Sequence, residues 1–230
     1  MTLRLLVTRP GALLRYHCEG RRVRYVPPLT LFLTLNLVFF VVAASGGMRI
    51  LAIPLDAHLQ TQSYSSLARK VVDDKVQGVG ISRDRFADRF DAKQGSIAKG
   101  AVILMVPALA LLLWPLMPSE WRQLSTANVL SLHTFAFLLF FLSVFGPLWR
   151  GLLLVAGAVD LAPTAESQDD FLWFFLAAVV AGYLTVSIKN GLRLGWIRSF
   201  FVGAVLTLSI GPFLLLYRLC VFLLAAAAAS

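Results

Sequence analysis

Residues 28–44 read PLTLFLTLNLVFFVVAA, and this run decides the class of the fold. As a helix at about 1.5 Å per residue, the run spans about 25 Å, close to the apolar thickness of a thin bilayer. Pro28 suits a helix start, because the first turn of a helix needs no hydrogen bond from its amides. The sequence therefore predicts a first transmembrane helix over 28–45.

The composition extends this interpretation to the whole chain. Of 230 residues, 58% are hydrophobic and 14% are charged, whereas soluble domains are about half apolar and about a quarter charged. These values exclude an ordinary soluble domain, a disordered chain and a secreted disulfide scaffold. We predict an all-α fold: a polytopic integral membrane helical bundle of about five transmembrane helices.

Four further apolar runs predict the remaining spans, which are 98–118, 126–146, 171–188 and 199–224. We expect kinks at Pro107 and at Gly211-Pro212, and we expect the third span to end or kink at Gly146-Pro147. Residues 147–162 are apolar but too few to cross again before Asp160, so they predict an interfacial or re-entrant piece. Together with the polar residues that follow, 147–170 predict an interfacial segment and an outer loop.

Two segments outside the spans are polar. Residues 1–27 carry six arginines against one acid and predict a basic amphipathic interfacial helix, with Thr8 as its N-cap and Pro10 in its first turn. Residues 46–97 predict an amphipathic helical loop of two helices. A break at Gly78-Val79-Gly80 separates them, and Ser82 can cap the second helix.

The distribution of Lys and Arg predicts the orientation. Short segments on one side hold ten cations, whereas the short loop on the other side holds Arg150 and four acids. We therefore expect a cytoplasmic N-terminus, an extracytoplasmic 46–97 loop and an outer C-terminus. The net charge of +9 then reflects topology and anionic lipids, so we expect no nucleic-acid partner.

Several polar side chains fall inside predicted spans, near their cytoplasmic ends. Their positions allow one intramembrane polar layer, formed by Asn36, His133, Tyr183 and Thr185. Interhelical hydrogen bonds, typically worth about 0.6 kcal/mol each, are one explanation of such a layer. A site for a ligand, a proton or an ion is the other.

Some arginines are candidate contacts for lipid headgroups or for an acidic partner, namely Arg15, Arg21, Arg22, Arg24 and Arg218. For the N-terminal four, an anchor that fixes the topology is the simpler interpretation. Arg218 can reach the headgroups from the outer end of the last span, or it can pair with Asp160, Asp169 or Asp170.

The sequence contains no HExxH helix, Walker loop, CxxC pair or pair of carboxylates within a span. Its three histidines, His17, His58 and His133, lie far apart in the predicted topology. We therefore predict no catalytic residue, no metal site and no cofactor.

The stretch from Arg9 to Phe40, RPGALLRYHCEGRRVRYVPPLTLFLTLNLVFF, resembles the opening of the membrane region of the bacterial DUF3667 family. The shared features are the RPG turn, the arginine-rich stretch before two prolines, and the apolar run. Residues 130–142, LSLHTFAFLLFFL, are similar to the histidine-bearing span of the family. The resemblance implies a multi-pass protein of the bacterial inner (cytoplasmic) membrane and no particular reaction.

This sequence departs from the family pattern at two places. Family members commonly carry a cysteine zinc ribbon ahead of the membrane region, and no such cysteine pattern occurs in these 230 residues. The third span of the family often carries further histidines, and here only His133 remains. The resemblance therefore concerns the membrane region.

Three functions stay open on the sequence. The first is a non-enzymatic scaffold or accessory subunit of an inner-membrane assembly. The second is a small transporter, channel or lipid-handling protein that uses the polar layer around Asn36 and His133. The third and least favoured is a membrane enzyme. Expected partners are anionic membrane lipids and another membrane protein or a second copy of the chain.

Overall fold

The computed structural model describes residues 1–21, 25–46, 53–158 and 165–229. Within these ranges all regular elements are helical, which confirms the all-α fold. The α-helices are α1 Thr2–Thr8, α2 Ala12–Cys18, α3 Pro28–Gly46, α4 Leu55–Gln60, α5 Ser65–Val79, α6 Arg83–Leu113, α7 Leu124–Ala158, α8 Ala165–Leu192, α9 Trp196–Leu208 and α10 Ile210–Ala229. Short 3₁₀ turns at Trp114–Leu116 and Ser119–Trp121 lie between α6 and α7.

Five stretches of the described residues are long and apolar enough to cross a membrane, and this number agrees with the predicted bundle. They are Pro28–Ser45, Arg83–Leu116, Leu124–Gly157, Phe174–Leu192 and Trp196–Ala229. The first begins at Pro28, where the prolines predicted a helix start.

The N-terminal segment forms two short helices where the sequence predicted one helix starting at Thr8. Thr8 is the last residue of α1, and its Oγ1 donates to the Arg4 carbonyl over 2.8 Å, so its predicted role as N-cap is wrong. Gly11, with φ of +84°, precedes α2 as its N-cap. A left-handed residue at that point breaks a right-handed helix, so the RPG turn joins α1 to α2.

Helix α6 is one helix where the sequence predicted an amphipathic helix followed by a separate span. It begins beyond Ser82, whose Oγ accepts the Arg85 amide over 3.4 Å, and it continues through Pro107. Gly95 and Gly100 lie between the polar and apolar parts, and glycine lowers helix stability by only about 1 kcal/mol relative to Ala. Nothing in that interval is strong enough to end a helix.

Two other predicted boundaries differ from the helices observed. Helix α7 passes Pro147 and ends at Ala158, because a proline removes one hydrogen bond without preventing the flanking turns from forming. The predicted last span is divided instead, since α9 ends at Leu208 and α10 begins at Ile210. Pro212 falls in the first turn of α10, where no intrahelical bond needs its amide.

The chain forms two compact units. Unit 1 contains residues 1–48 and 106–209, and unit 2 contains residues 49–105 and 210–230. In unit 1, α3 packs along α7 and α8 packs along α9, while α1 and α2 pack on the α7 and α8 pair. One face of α3 is buried and consists of Leu31, Phe32, Leu35, Asn36, Phe39 and Ala43.

Unit 2 has its own apolar core, formed by α4, α5, the first part of α6, and α10. Its buried residues are Leu55, Leu59, Ala68, Val72, Phe86, Phe90, Phe222, Ala225, Ala226 and Ala229. The Tyr217 hydroxyl donates to the Ala98 carbonyl over 3.0 Å, and Lys93 Nζ donates to the Ala228 carbonyl. These bonds hold α10 against α6 within the unit.

Candidate functional site

The RPG turn of unit 1 rests directly on the backbone of α8. A Cβ at Gly11 would lie closer to the Ser187 carbonyl oxygen than real Cβ contacts allow, and only 2.7 Å from the Gly191 amide nitrogen. Gly11 also has φ of +84°. Only glycine satisfies both the left-handed conformation and the close approach. Residue 11 therefore fixes the hairpin of α1 and α2 on α8.

The contact is reciprocal across the two helices. A Cβ at Gly191 would lie 2.7 Å from Leu14 Cδ2 and 3.3 Å from the Gly11 carbonyl oxygen. Asn190, the neighbouring residue, donates from Nδ2 to the Pro10 carbonyl over 3.2 Å. We call this contact, formed by residues 10, 11, 190 and 191, the glycine clip.

The apolar side of the hairpin closes a small cavity in unit 1. Leu6, Leu13 and Leu14 are buried, and they line the cavity together with Leu130 of α7. Its polar lining comes from Arg9, His133, Tyr183 and Ser187. The space has room for about one water molecule, so it suits a bound solvent molecule or a small ion rather than an organic substrate.

Two of the four residues predicted to form a polar layer share this cavity. His133 is 6% exposed and Tyr183 is 7% exposed. The Tyr183 ring stacks on Phe137 with 3.7 Å between centroids. His133 Nδ1 makes no hydrogen bond of normal geometry, although the imidazole interacts with the backbone of Val129 and with His17. A buried nitrogen without a normal hydrogen bond favours the binding of a water molecule or a small polar ligand beside it.

The other two predicted residues do not line the cavity. Asn36 lies on the buried face of α3, the face that packs along α7, and its Oδ1 lacks a hydrogen-bond partner. Thr185 belongs to the contact between α8 and α9, where its Oγ1 occupies the space that a Cβ at Gly203 would need. A binding role for these four residues remains a prediction.

Near the end of α2, several arginines surround a single acid. The Glu19 carboxylate lies 3.9 Å from Arg15 Nε, 3.7 Å from Arg21 Nε and 3.3 Å from Arg193 Nη2. Two of these cations were predicted as headgroup or partner contacts, and Arg193 joins them from just beyond α8. The predicted residues Arg22 and Arg24 lie outside the described residues.

Unit 2 contains a second cluster, which we call the His58 cluster: His58, Tyr64, Phe90 and Phe222. His58 is 1% exposed, and its Nδ1 lies 2.7 Å from the Tyr64 hydroxyl. Its ring centroid lies 5.6 Å from that of Phe90 and 5.2 Å from that of Phe222. Three aromatic rings therefore enclose one imidazole.

Burial changes the acid–base behaviour of this cluster. Burial, together with the smaller effect of the positive charge on Arg218, lowers the pKa of His58 to about 4. Burial also raises the pKa of Tyr64 to about 12. At neutral pH both side chains are therefore uncharged, and the bond between them joins two neutral groups.

Arg218 borders the His58 cluster in unit 2. Its Nη1 donates to Gln62 Oε1 over 3.2 Å, while its Nε is buried without a partner. The predicted ion-pair partners Asp160, Asp169 and Asp170 cannot be compared with this contact, because their side chains lie outside the described residues. A headgroup contact for Arg218 remains a prediction.

Asp91 and Gln94 connect α4 to α6 in the same unit. Asp91 Oδ1 accepts the Leu55 amide over 3.0 Å and the Gln94 Nε2 over 3.1 Å. A carboxylate at the first turn of α4 satisfies an amide that has no partner within the helix. This bond places His58, one turn further along α4, inside the aromatic cluster.

The described residues contain no group of three or more His, Cys, Asp or Glu side chains that could hold a metal ion. The described residues therefore offer no metal centre. Buried side-chain atoms of unit 1 without a hydrogen bond of normal geometry include Asn36 Oδ1, Ser131 Oγ, His133 Nδ1 and Ser187 Oγ. Of these residues, His133 and Ser187 line the cavity.

Comparison with known proteins finds one family model that is similar to the N-terminal residues. Residues 1–40 match the family model described as protein of unknown function (DUF3667). This confirms the resemblance that the RPG stretch indicated. The match contains Gly11 and most of α3, and it does not include the histidine-bearing stretch 130–142. No curated protein and no solved structure matches the chain.

Sequence reasoning missed several residues that the structure brings together. His58 was treated as an isolated histidine, and its position between Leu55 and Leu59 gave only a weak signal of a buried helix face. Gly191 gave a better signal, because a glycine near the end of an apolar helix often marks close backbone approach. Its partner Gly11 lies 180 residues away, so the pairing itself was not visible.

Proposed function

We propose that this chain is an integral protein of the bacterial inner membrane and acts as a non-enzymatic scaffold or accessory subunit of a membrane protein assembly. Five apolar helices of sufficient length support membrane insertion. The bias of Lys and Arg toward one set of short segments supports a cytoplasmic N-terminus.

The observation that carries the scaffold role is a small-residue face on α8. Ala178 and Gly182 lie four residues apart and are both exposed, and nothing lies within 4 Å of a Cβ placed on Gly182. By contrast, Gly203 of α9 is already occupied by Thr185 of the same unit. Small residues at this spacing let a second helix approach closely in lipid. The α8 face is therefore available to a helix of another subunit.

The glycine clip supports the same role at the end of α8. Backbone contact holds the hairpin of α1 and α2 in one orientation, so its polar surface is ordered before any partner binds. Preordered surfaces bind with a smaller loss of conformational entropy. A fixed polar surface beside a free helix face suits a subunit that holds other proteins.

Native mass spectrometry of the chain extracted in mild detergent tests this proposal. We expect a stoichiometric second protein, or a second copy, and we expect it to be lost in Gly182→Leu. Gly151→Leu is the matched control, because Gly151 is also an exposed helical glycine with nothing near its Cβ position. A monomeric chain, or equal loss in both variants, would contradict the scaffold role.

A second candidate function rests on Asn36 Oδ1 and His133 Nδ1, which are buried and make no hydrogen bond of normal geometry. A small transporter, channel or lipid-handling protein would use such polar groups inside the membrane. It predicts a bound small molecule, ion or lipid in the same spectra that is lost in His133→Ala. A membrane enzyme is less favoured, since the cavity beside His133 has room for only about one water molecule.

A further inference from the structure

In unit 1, the end of α2 meets the segment that joins α8 to α9. The Asn190 amide donates to the Pro10 carbonyl, and the Arg193 guanidinium reaches Glu19 over 3.3 Å. We call the surface formed by Arg15, Glu19, Arg21, Lys189, Arg193 and Trp196 the cationic corner. Its cations come from residues that are far apart in sequence, so it is a product of the glycine clip.

The cationic corner carries an excess of positive charge. Three guanidinium groups share the single carboxylate of Glu19, which leaves two positive charges uncompensated. Arg21 and Arg193 have side chains that are 71% and 69% exposed, so an anion can reach both. Guanidinium groups form paired hydrogen bonds to phosphate oxygens, which suits a phosphate more than a lone chloride ion.

Arg193 occupies its place against a conformational preference. Its φ is +54°, the left-handed conformation in which helices usually end on glycine or asparagine. An arginine there costs roughly 1 kcal/mol or more relative to glycine. The Arg193 side chain therefore makes a contribution that glycine cannot make, and that contribution is the guanidinium group in the cationic corner.

The apolar side of the corner identifies the kind of anion. Lys189 Nζ lies 3.8 Å from the centroid of the Trp196 ring, and Trp196 is 60% exposed. Tryptophan of this exposure is typical of the interface between headgroups and acyl chains. Ile197, Phe200 and Phe201 follow within about 8 Å along α9 and are all more than 60% exposed. The cations of the corner suit an anionic head, and the exposed apolar face of α9 beside them suits an apolar tail. A ligand with both parts is an amphiphile.

We propose that the cationic corner binds an anionic phospholipid. Arg21, Arg193 and Lys189 contact its phosphate, and Trp196 lies at the level of its glycerol. The acyl chains run along α9 past Phe200 and Phe201. This inference rests on the membrane insertion in the proposed function, and it does not depend on a partner protein.

Lipid titration of the purified full chain in detergent tests the site, with bound lipid counted by native mass spectrometry. The probes are phosphatidylglycerol and, as the zwitterionic reference, phosphatidylcholine. Each cation near a membrane surface contributes about 1 kcal/mol, so Arg193→Gly and Arg21→Gln should each weaken phosphatidylglycerol binding about fivefold. Phosphatidylcholine also carries a phosphate, but its choline cation offsets that charge, so its binding should weaken less than that of phosphatidylglycerol.

Arg193→Gly is a favourable variant because glycine prefers the left-handed conformation found there, so the fold should be kept or slightly stabilised. Arg4→Gln is the matched control, since it removes one exposed cation of α1 outside the corner. The proposal is overturned if Arg193→Gly binds phosphatidylglycerol like the natural chain, or if Arg4→Gln loses as much affinity.

Glycerol 3-phosphate distinguishes a lipid from a soluble phosphate. It carries the same phosphate without acyl chains, so it should fail to displace phosphatidylglycerol at millimolar concentration. Displacement at that concentration would show a soluble phosphate site and overturn the lipid assignment. The same spectra report any second protein by its mass, so failure of the scaffold role and failure of the lipid site are distinguishable.

Discussion

The glycine clip of unit 1 and the His58 cluster of unit 2 hold their helices together in opposite ways. In the clip, backbone touches backbone, and a single added carbon would collide with main-chain atoms. In the cluster, four rings pack through flexible side chains at centroid distances of 5.2–6.2 Å. Side chains can adjust to a substitution, whereas two backbones cannot separate without moving whole helices.

The two regions should therefore tolerate different amino-acid substitutions. Position 11 should reject every residue except glycine, and it lies within residues 1–40, the part that matches the DUF3667 family. The cluster lies outside that match and should accept other apolar residues of similar volume. The following predictions are ordered from the largest expected effect to the smallest.

Gly11→Ala should have the largest effect. The new Cβ would collide with the Ser187 carbonyl and the Gly191 amide, at a residue whose φ is +84°. We expect a loss of about 3–5 kcal/mol from strain and overpacking together, read as a lower melting temperature in detergent.

Gly20→Ala is the matched control for that variant. Gly20 also has a left-handed φ, +78°, but nothing lies within 4 Å of its Cβ position. Only the conformational cost of about 1–2 kcal/mol should remain. Equal destabilisation by both variants would show that backbone conformation, rather than the clip, explains the loss.

Gly191→Ala should have a smaller effect, of about 2 kcal/mol. Its nearest obstacle is Leu14 Cδ2, the end of a side chain, which can shift by a few tenths of an ångström. Gly182→Ala on the same helix should be neutral or stabilising, since it meets nothing and alanine favours helix. A double-mutant cycle with Leu14→Ala should show favourable coupling, and additive effects would argue against the contact.

The pH dependence of stability should distinguish the His58 cluster from the clip. The pKa of His58 is about 4 in the folded chain and about 6.5 when unfolded, so the unfolded state binds the extra proton first. The contribution of His58 to the free energy of unfolding is fully present above pH about 6.5 and decreases as the pH falls toward about 4. The loss should be about 1–2 kcal/mol, below the upper limit set by the full shift.

His58→Phe is the control, because it keeps an aromatic ring and removes the titrating group. The melting temperatures of the natural chain and of His58→Phe are compared between pH 7 and pH 4. The natural chain should lose more stability than the variant between pH about 6.5 and pH about 4, and the difference is the contribution of His58. Arg218 is retained in both proteins, so its effect on the cluster is present in both. Identical pH profiles would show that burial does not hold His58 neutral.

Phe222→Leu should have the smallest effect, about 1 kcal/mol. The change removes ring contacts to His58, Tyr64 and Phe90, while leucine still fills much of the volume. Phe200→Leu, at a residue that is 62% exposed, should leave stability unchanged. A loss comparable to that of Gly11→Ala would remove the distinction between the two regions.

Much of the fold followed from sequence patterns, and the exceptions have physical reasons. Apolar runs and prolines located the helix start at Pro28, and glycine located the end of α5, where Gly80 has φ of +66°. Such signals are local, because they depend on backbone conformation and on the solvent that each residue meets. A helix does follow the RPG stretch, but it begins at Ala12 with Gly11 as its N-cap, whereas Thr8 ends the preceding helix.

The candidate sites depended on long-range packing, which a single sequence does not reveal. Arg15 and Arg21 were predicted as contacts, but the convergence of Arg193 on Glu19 depends on the packing of α2 against α8. His133 and Tyr183 were predicted together and do share a cavity, whereas Thr185 turns to Gly203 instead. Helical period places a residue on a face, and only the neighbouring helix decides what that face meets.

Hydrogen exchange of α2, followed by mass spectrometry on the full chain in nanodiscs, tests the clip most directly. We expect slow exchange of the α2 amides (residues 12–18) in the natural chain and in Gly20→Ala, and fast exchange in Gly11→Ala, while α5 is unaffected in all three. Fast exchange of α2 in the natural chain, or slow exchange retained in Gly11→Ala, would contradict a hairpin fixed on α8 through Gly11 and Gly191.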